Sequence, residues 1–203
     1  MNLDIGYIIL AGGKSKRLGR NKINEVIGGI TLLNRVVNVL SAFNGEIILV
    51  TAEDSSLPDT FTYAKISKVQ DLYPGKGMIG GIITGLSASK NFYNLVVAAD
   101  MPFLNPVLIR YMISNAKGND LVAYKNQNEL EPLHAIYTKN CLPILEEIML
   151  KDRRIFELLG QVKVRYLSPA EINQYDPKKI SFFNVNIESD LRIANEIAAK
   201  EDK

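Results

Sequence analysis

Short, unbroken apolar runs of the length of buried strands recur along the chain. GYIIL (6–10), IILVTA (47–52), VVAAD (96–100) and DLVAY (120–124) each read as a strand. Between them lie segments with helical period. In residues 31–40, Leu32, Leu33, Val36, Val37, Val39 and Leu40 spread over one broad face behind Thr31, a residue suited to an N-cap. Residues 79–90, 105–116, 140–150 and 188–200 read similarly. The last opens on Glu188-Ser189-Asp190, which suits the positive end of a helix dipole. Strands apolar on both faces that alternate with helices predict an α/β fold with a mainly parallel central sheet and helices on both faces. Such sheets bind ligands beyond the carboxyl ends of their strands. The loops after Leu10, Thr51, Gln70 and Ala99 are therefore the places to look, while the polar stretch 125–131 reads as a surface loop.

Composition narrows the class. The 203 residues suit a single domain, 1–203, and 47% hydrophobic with 23% charged residues is the balance of an ordinary globular chain. A net charge of +2 does not point to nucleic acid. Cys141 is the only cysteine, which excludes an internal disulfide and any Cys-rich metal centre. The acidic start Met1-Asn2-Leu3-Asp4 is unlike a secretory signal, and no run approaches the roughly 18 apolar residues of a membrane span. The expectation is a cytoplasmic protein without nucleic-acid or membrane partners.

The placement of the cations is more informative than their number. Leu10-Ala11-Gly12-Gly13 follows the first strand directly, and Lys14, Lys16, Arg17, Arg20 and Lys22 then crowd into nine residues with no acid among them. Glycines let backbone amides approach a ligand closely, and lysines and arginines beside them suit a polyanion such as a triphosphate. The loop lacks the Gly-x-x-x-x-Gly-Lys-Ser/Thr spacing of a Walker A loop.

Two further segments carry chemistry. Val96-Val97-Ala98-Ala99-Asp100-Met101-Pro102 ends a buried strand in a carboxylate, a hard oxygen ligand of the kind Mg²⁺ takes singly beside phosphate and water, or else a turn cap. Asp71-Leu72-Tyr73-Pro74 precedes Gly75, Gly77 and Gly80, a GxGxxG with Asp100 twenty residues further on. That is the spacing of a dinucleotide-binding fingerprint. Against it, residues 71–74 separate the glycines from the preceding strand, and the cationic loop would have no task. Near the C-terminus, Asn184 and Asn186 stand at i and i+2, on one side of a strand or as turn residues before the last helix. His134 is the only histidine and reads as a packed or surface residue.

Five of these segments, in this order over residues 6–195, resemble the molybdenum-cofactor guanylyltransferase family. They are LAGGKSKRLGRNK, the Asp71…Pro74-Gly75…Gly77…Gly80-Gly81 stretch, Ala99-Asp100-Met101-Pro102, Glu131-Pro132-Leu133…Tyr137 and Phe182…Asn184…Asn186. Leu18 stands where that pattern has Met, Asn21 where it has Asp, and Met78-Ile79 where it has Pro-Leu.

The resemblance implies a three-layer Rossmann-like nucleotidyltransferase fold, with a nucleotide-binding half at about 1–120 and an acceptor-binding half at about 121–203. It implies transfer of GMP from Mg·GTP to molybdopterin or the molybdenum cofactor. Leu10, Ala11, Gly12, Gly13, Lys22, Thr51, Asp71 and Asp100 would meet GTP. Arg17, Lys22 and Asp100 would be catalytic, with Asp100 on Mg²⁺, and Asn184 and Asn186 would meet the pterin. Other cofactor-biosynthesis or molybdoenzyme delivery proteins are the partners it suggests. The competing expectations are a cytidylyltransferase or sugar-phosphate nucleotidyltransferase of the same fold, an NAD(P)-dependent oxidoreductase, and a non-catalytic GTP-binding protein.

Overall fold

The computed structural model describes residues 3–12, 22–52, 66–126 and 129–201. Its first strand, β1 (Ile5–Leu10), is buried along its whole length. Successive side chains of a strand point to opposite faces. Ile5, Tyr7 and Ile9 accordingly join one hydrophobic layer and Ile8 and Leu10 the other. Fully burying one such side chain is worth roughly 1.5–3 kcal/mol, which makes β1 the natural centre of the sheet.

A two-residue pair, β2 (Val26–Ile27) and β3 (Ile30–Thr31), forms a small antiparallel hairpin. Thr31 then caps α1 (Leu32–Ser41), its hydroxyl accepting from Asn34 N at 3.2 Å. β4 (Ile47–Thr51) pairs parallel to β1, and β5 (Ile66–Gln70) pairs parallel to β4. Next come α2 (Gly77–Ala88), β6 (Tyr93–Ala98) and α3 (Pro106–Ser114), the last capped by Asn105 with Pro106 in its first turn. β7 (Leu121–Asn126) and β8 (Glu129–Leu130) pair with each other, so the stretch expected to be a loop at 125–131 carries strand at both ends. β9 (Ala135–Thr138), α4 (Cys141–Leu150), β10 (Val164–Leu167), α5 (Pro169–Tyr175) and α6 (Glu188–Glu201) complete the order.

Seven strands form the central sheet in the order β10-β7-β9-β6-β1-β4-β5, with β8 appended to β7. β9 is antiparallel to both its neighbours, β6 and β7, and the other pairings along this path are parallel. The expected mainly parallel sheet is present. Leu33, Val36, Val37 and Leu40 of α1 and Leu108, Ile109 and Met112 of α3 fill one face. Ile82, Ile83 and Leu86 of α2 and Leu145, Ile148 and Met149 of α4 fill the other. A third, smaller cluster joins the β2–β3 hairpin to α6 through Ile27, Leu32, Phe103, Leu191 and Ala194.

Residues 182–187 do not form a strand. Asp176 draws the chain into a 3-10 turn at Ile180–Phe182 by accepting from Ile180 N (3.3 Å) and Ser181 N (2.9 Å). Val185 N then donates to Asp100 O at 2.9 Å, a single bond where a ladder would need several.

Candidate active site

Carboxyl ends of β1, β4, β5 and β6 lie side by side, as parallel pairing requires. β1 passes into Leu10, Ala11 and Gly12, where Ala11 N donates to Val50 O at 2.8 Å. A Cβ at Gly12 would come 3.5 Å from Ala52 N, an ordinary contact, so space alone does not require glycine there. Gly13, Arg17 and the accompanying Lys14, Lys16 and Arg20 lie outside the described residues.

The chain resumes at Lys22, the first residue of a 3-10 turn, Lys22–Asn24. Ile23 is buried in the layer under α1 and α3, and this plug anchors the lysine beside it. Lys22 Nζ forms an ion pair with Asp100 Oδ2 and donates to Asn186 Oδ1 at 3.0 Å. Asp100 sits in a turn just past β6, where Ala99 N donates to Leu10 O at 3.0 Å and Met101 N to Ala98 O at 3.2 Å. Asp100 is buried, at 8% exposure. Its second oxygen, Oδ1, is buried and has no hydrogen-bond partner among the described residues.

A buried carboxylate oxygen without a partner is costly unless a ligand completes it. Hard oxygen of this kind suits a divalent cation that takes its remaining ligands from phosphate and water. No group of three or more His, Cys, Asp and Glu gathers among the described residues, so the arrangement has the character of a carboxylate–phosphate site rather than an all-protein cage.

Asn186 reaches Lys22 because α6 holds its backbone. Asp190, in the first turn of that helix, accepts from Asn186 N (2.8 Å) and Ile187 N (3.0 Å) through Oδ2. Asn184 has a different partner, donating from Nδ2 to Phe182 O at 3.2 Å. The two asparagines that sequence spacing groups together therefore have separate contacts.

Asp71 follows β5, and its backbone N donates to Thr51 O at 2.8 Å across the β4–β5 pair. Its carboxylate oxygen Oδ1 accepts from Tyr73 N (3.0 Å) and from Thr84 Oγ1 (3.1 Å). Thr51 itself is buried, and its hydroxyl has no hydrogen-bond partner among the described residues. The glycines of the GxGxxG serve the turn and the helix. Gly75 and Gly77 have φ of +88° and +61°, a conformation that side chains rarely adopt. A Cβ at Gly80 would approach Tyr73 O to 2.9 Å.

Sequence reasoning missed Thr84 and the part played by Asp190. Thr84 gives no signal inside an apolar helix, whereas the acidic opening of the last helix marks Asp190 as a capping residue only. His134 proves fully buried immediately before β9, at φ +62°, with N donating to Val96 O at 2.7 Å. Its ring lies 5.1 Å from that of Phe182 and its Nδ1 3.4 Å from Ser181 O, so it packs beneath the segment leading to Asn186. Burial lowers its pKa to about 4, against the smaller opposing effect of the Ser181 carbonyl, which keeps the ring neutral near pH 7.

A mainly parallel sheet whose first strand runs into Ala11 and Gly12, a lysine paired with a strand-end aspartate, and a second carboxylate three strands further along define a Rossmann-like nucleotidyltransferase. The chain belongs to the MobA-like NTP transferase domain family, whose model matches residues 7–166. It is 32% identical over 185 residues to the probable molybdenum cofactor guanylyltransferase of Pelotomaculum thermopropionicum, covering 91% of this chain and 88% of that protein. A protein of the same description from Natranaerobius thermophilus is 31% identical, covering 98% and 99%. The crystal structure of molybdopterin-guanine dinucleotide biosynthesis protein A from Archaeoglobus fulgidus superposes with a TM-score of 0.82 at 28% identity, covering 96% of this chain and 99% of that one. The 2-C-methyl-D-erythritol 4-phosphate cytidylyltransferase of Thermus thermophilus shares the fold, with a TM-score of 0.71 at 14% identity over 98% and 100% of the two chains.

Proposed function

We propose that this chain transfers GMP from Mg·GTP to molybdopterin or its molybdenum form, releasing pyrophosphate and giving the guanine dinucleotide cofactor. The observation that carries the reading is the convergence of Lys22, Asp100 and Asn186, a cation, a carboxylate with a free buried oxygen and an amide, from three distant stretches of chain. Its relatives' names support guanine as the base and molybdopterin as the acceptor.

In this mechanism a terminal phosphate oxygen of the acceptor attacks the α-phosphorus of GTP in line. The new P–O bond forms as the bond to the β-phosphate's bridging oxygen breaks, and pyrophosphate leaves with that electron pair. The nucleophile is already an anion near neutral pH, so positioning and charge neutralisation do the work and no general base is needed. Bound to Asp100, Mg²⁺ would supply charge neutralisation at the phosphates.

Lys22 exchanges part of its contact with Asp100 for the α-phosphate and the developing pyrophosphate, and Arg17 shares in neutralising that charge. Backbone amides of the Leu10-Ala11-Gly12-Gly13 turn hold the phosphates. Asp71 meets the nucleoside, Thr51 is a further contact to GTP, and Asn184 and Asn186 meet the pterin. Residues 1–120 form the nucleotide half of a single domain and 121–203 the acceptor half. The reaction belongs to the cytoplasm, where cofactor-biosynthesis or molybdoenzyme delivery proteins would collect the product. Among the described residues no helix is long and apolar enough to cross a membrane.

The test is pyrophosphate release with Mg²⁺ and molybdopterin, offering GTP, CTP, ATP and UTP separately. Release with GTP alone, together with a GMP–pterin product, is the expected result. Release with CTP instead, or with none of the four, would overturn the reading. Asp100→Ala should abolish the Mg²⁺-dependent transfer and weaken direct Mn²⁺ binding measured in the presence of GTP. Unchanged Mn²⁺ binding would remove Asp100 from the metal site.

A further inference from the structure

We infer that Thr84 is a positioning residue for base selection: its hydroxyl fixes the rotamer of Asp71 so that one carboxylate oxygen faces the donor edge of guanine. The inference rests on the proposed reading of Asp71 as a nucleoside contact and deepens it.

Thr84 is fully buried in the middle of α2, among Gly80, Gly81, Ile82, Ile83 and Gly85, where a hydroxyl contributes nothing to apolar packing. Its hydrogen bonds run in one direction. Leu72 N donates to Thr84 Oγ1 at 3.1 Å, and the hydroxyl proton goes to Asp71 Oδ1, also at 3.1 Å. A carboxylate can only accept and a backbone N–H can only donate, so the hydroxyl has no freedom to reverse this relay. Tyr73 N makes the second bond to the same oxygen at 3.0 Å. Two donors therefore occupy Oδ1, and Oδ2 is the oxygen left to meet a ligand.

Position along the sheet selects which part of the nucleotide that oxygen meets. Asp100 follows β6 and Asp71 follows β5, with β1 and β4 between them. Three strand spacings of about 4.8 Å put the two carboxylates about 14 Å apart along the sheet edge. With the phosphates at Asp100 and the β1 loop, the ribose hydroxyls fall short of that span. The base edge is the end of the nucleotide furthest from the phosphates. Guanine presents there an N1–H and a 2-amino group, both donors, to which a carboxylate oxygen is complementary. A carboxylate free to rotate would hold neither donor as well, because the cost of ordering it would fall on binding.

The test uses direct titration of GTP and of inosine triphosphate, which lacks the 2-amino donor, into the full chain with Mg²⁺. It needs no acceptor and no turnover. The wild-type chain should prefer GTP. Thr84→Val should weaken GTP binding about tenfold and bring the GTP-to-ITP preference towards unity, and Thr84→Ser, which restores the hydroxyl, should recover both. In an Asp71→Ala background, Thr84→Val should have no further effect on the preference, because a residue that acts through Asp71 has nothing left to position. Preference lost in Asp71→Ala but kept in Thr84→Val would overturn this inference alone. An additive loss in the double variant would do the same by assigning Thr84 a merely structural role. Equal wild-type affinity for GTP and ITP would overturn the guanine-edge reading of Asp71 and this inference with it.

Discussion

Lys22 illustrates how one side chain can be poised by its neighbours. Its ammonium is held between Asp100 and Asn186, so in the proposed reaction an entering phosphate would meet a cation already held in place. Preorganised charge of this kind is typically worth 10²–10³ in turnover. Lys22→Ala should lower the kcat for pyrophosphate release by about that factor, and near-normal turnover would contradict its role. His134 gives a prediction of a different kind. Neutral and buried in the native state, with a pKa lowered to about 4, it takes up its proton near pH 6.5 once the chain unfolds. Between these two values the unfolded chain binds more protons, so its contribution to stability is fully present above about pH 6.5 and is lost as the pH falls towards 4. The loss is of order 3 kcal/mol. Urea titrations at pH 7 and pH 5 should show the decline in the wild-type chain and a flatter dependence in His134→Gln.

Among the elements, α2 depends most on the absence of side chains. A Cβ at Gly85 would lie 2.3 Å from Ile8 Cγ2, inside the layer where β1 and α2 meet. Gly85→Ala should cost about 1–3 kcal/mol by overpacking, measured as a lower urea midpoint, despite alanine's better helix propensity. The same helix shows where sequence reasoning reached and where it stopped. Strands such as β1 and β4 were legible because both of their faces are buried, which leaves an unbroken apolar run. β5 (ISKVQ) and β10 (VRYL) lie at the two ends of the strand order and lack an unbroken buried run, so β5 entered only as the strand before Asp71 and β10 gave no strand signal. Helices α1, α2, α3, α4 and α6 were legible to within two residues at either end from their period, and at α1 the cap expected of Thr31 is present. At the site, Asp100 could be found as a carboxylate closing a buried strand. Asn186 could be found only through family resemblance, since nothing in its own surroundings announces a contact with Lys22 across 164 positions. Thr84 had no signal at all, because its importance lies in a hydrogen bond between a helix and a loop.

Across the whole molecule, the reversed strand β9 brings the C-terminal half to the Lys22–Asp100 pair. Running opposite to β6 and β7, it begins at the sheet edge where they end, which places His134 beneath the turn at Ile180–Phe182. Asn105 adds a second tie, donating from N to Ser181 Oγ (3.1 Å) and from Nδ2 to Tyr175 O (2.7 Å). Through Val185 and Asn186 the chain then closes on Asp100 and Lys22. This closure has a consequence for synthesis on the ribosome. Lys22 and Asp100 are both made before Asn186, so a nascent chain halted before residue 186 would carry the lysine and the aspartate without the amide that joins them. Messages cut just before codon 186 should therefore yield a polypeptide that retains every strand of the sheet but transfers no nucleotide.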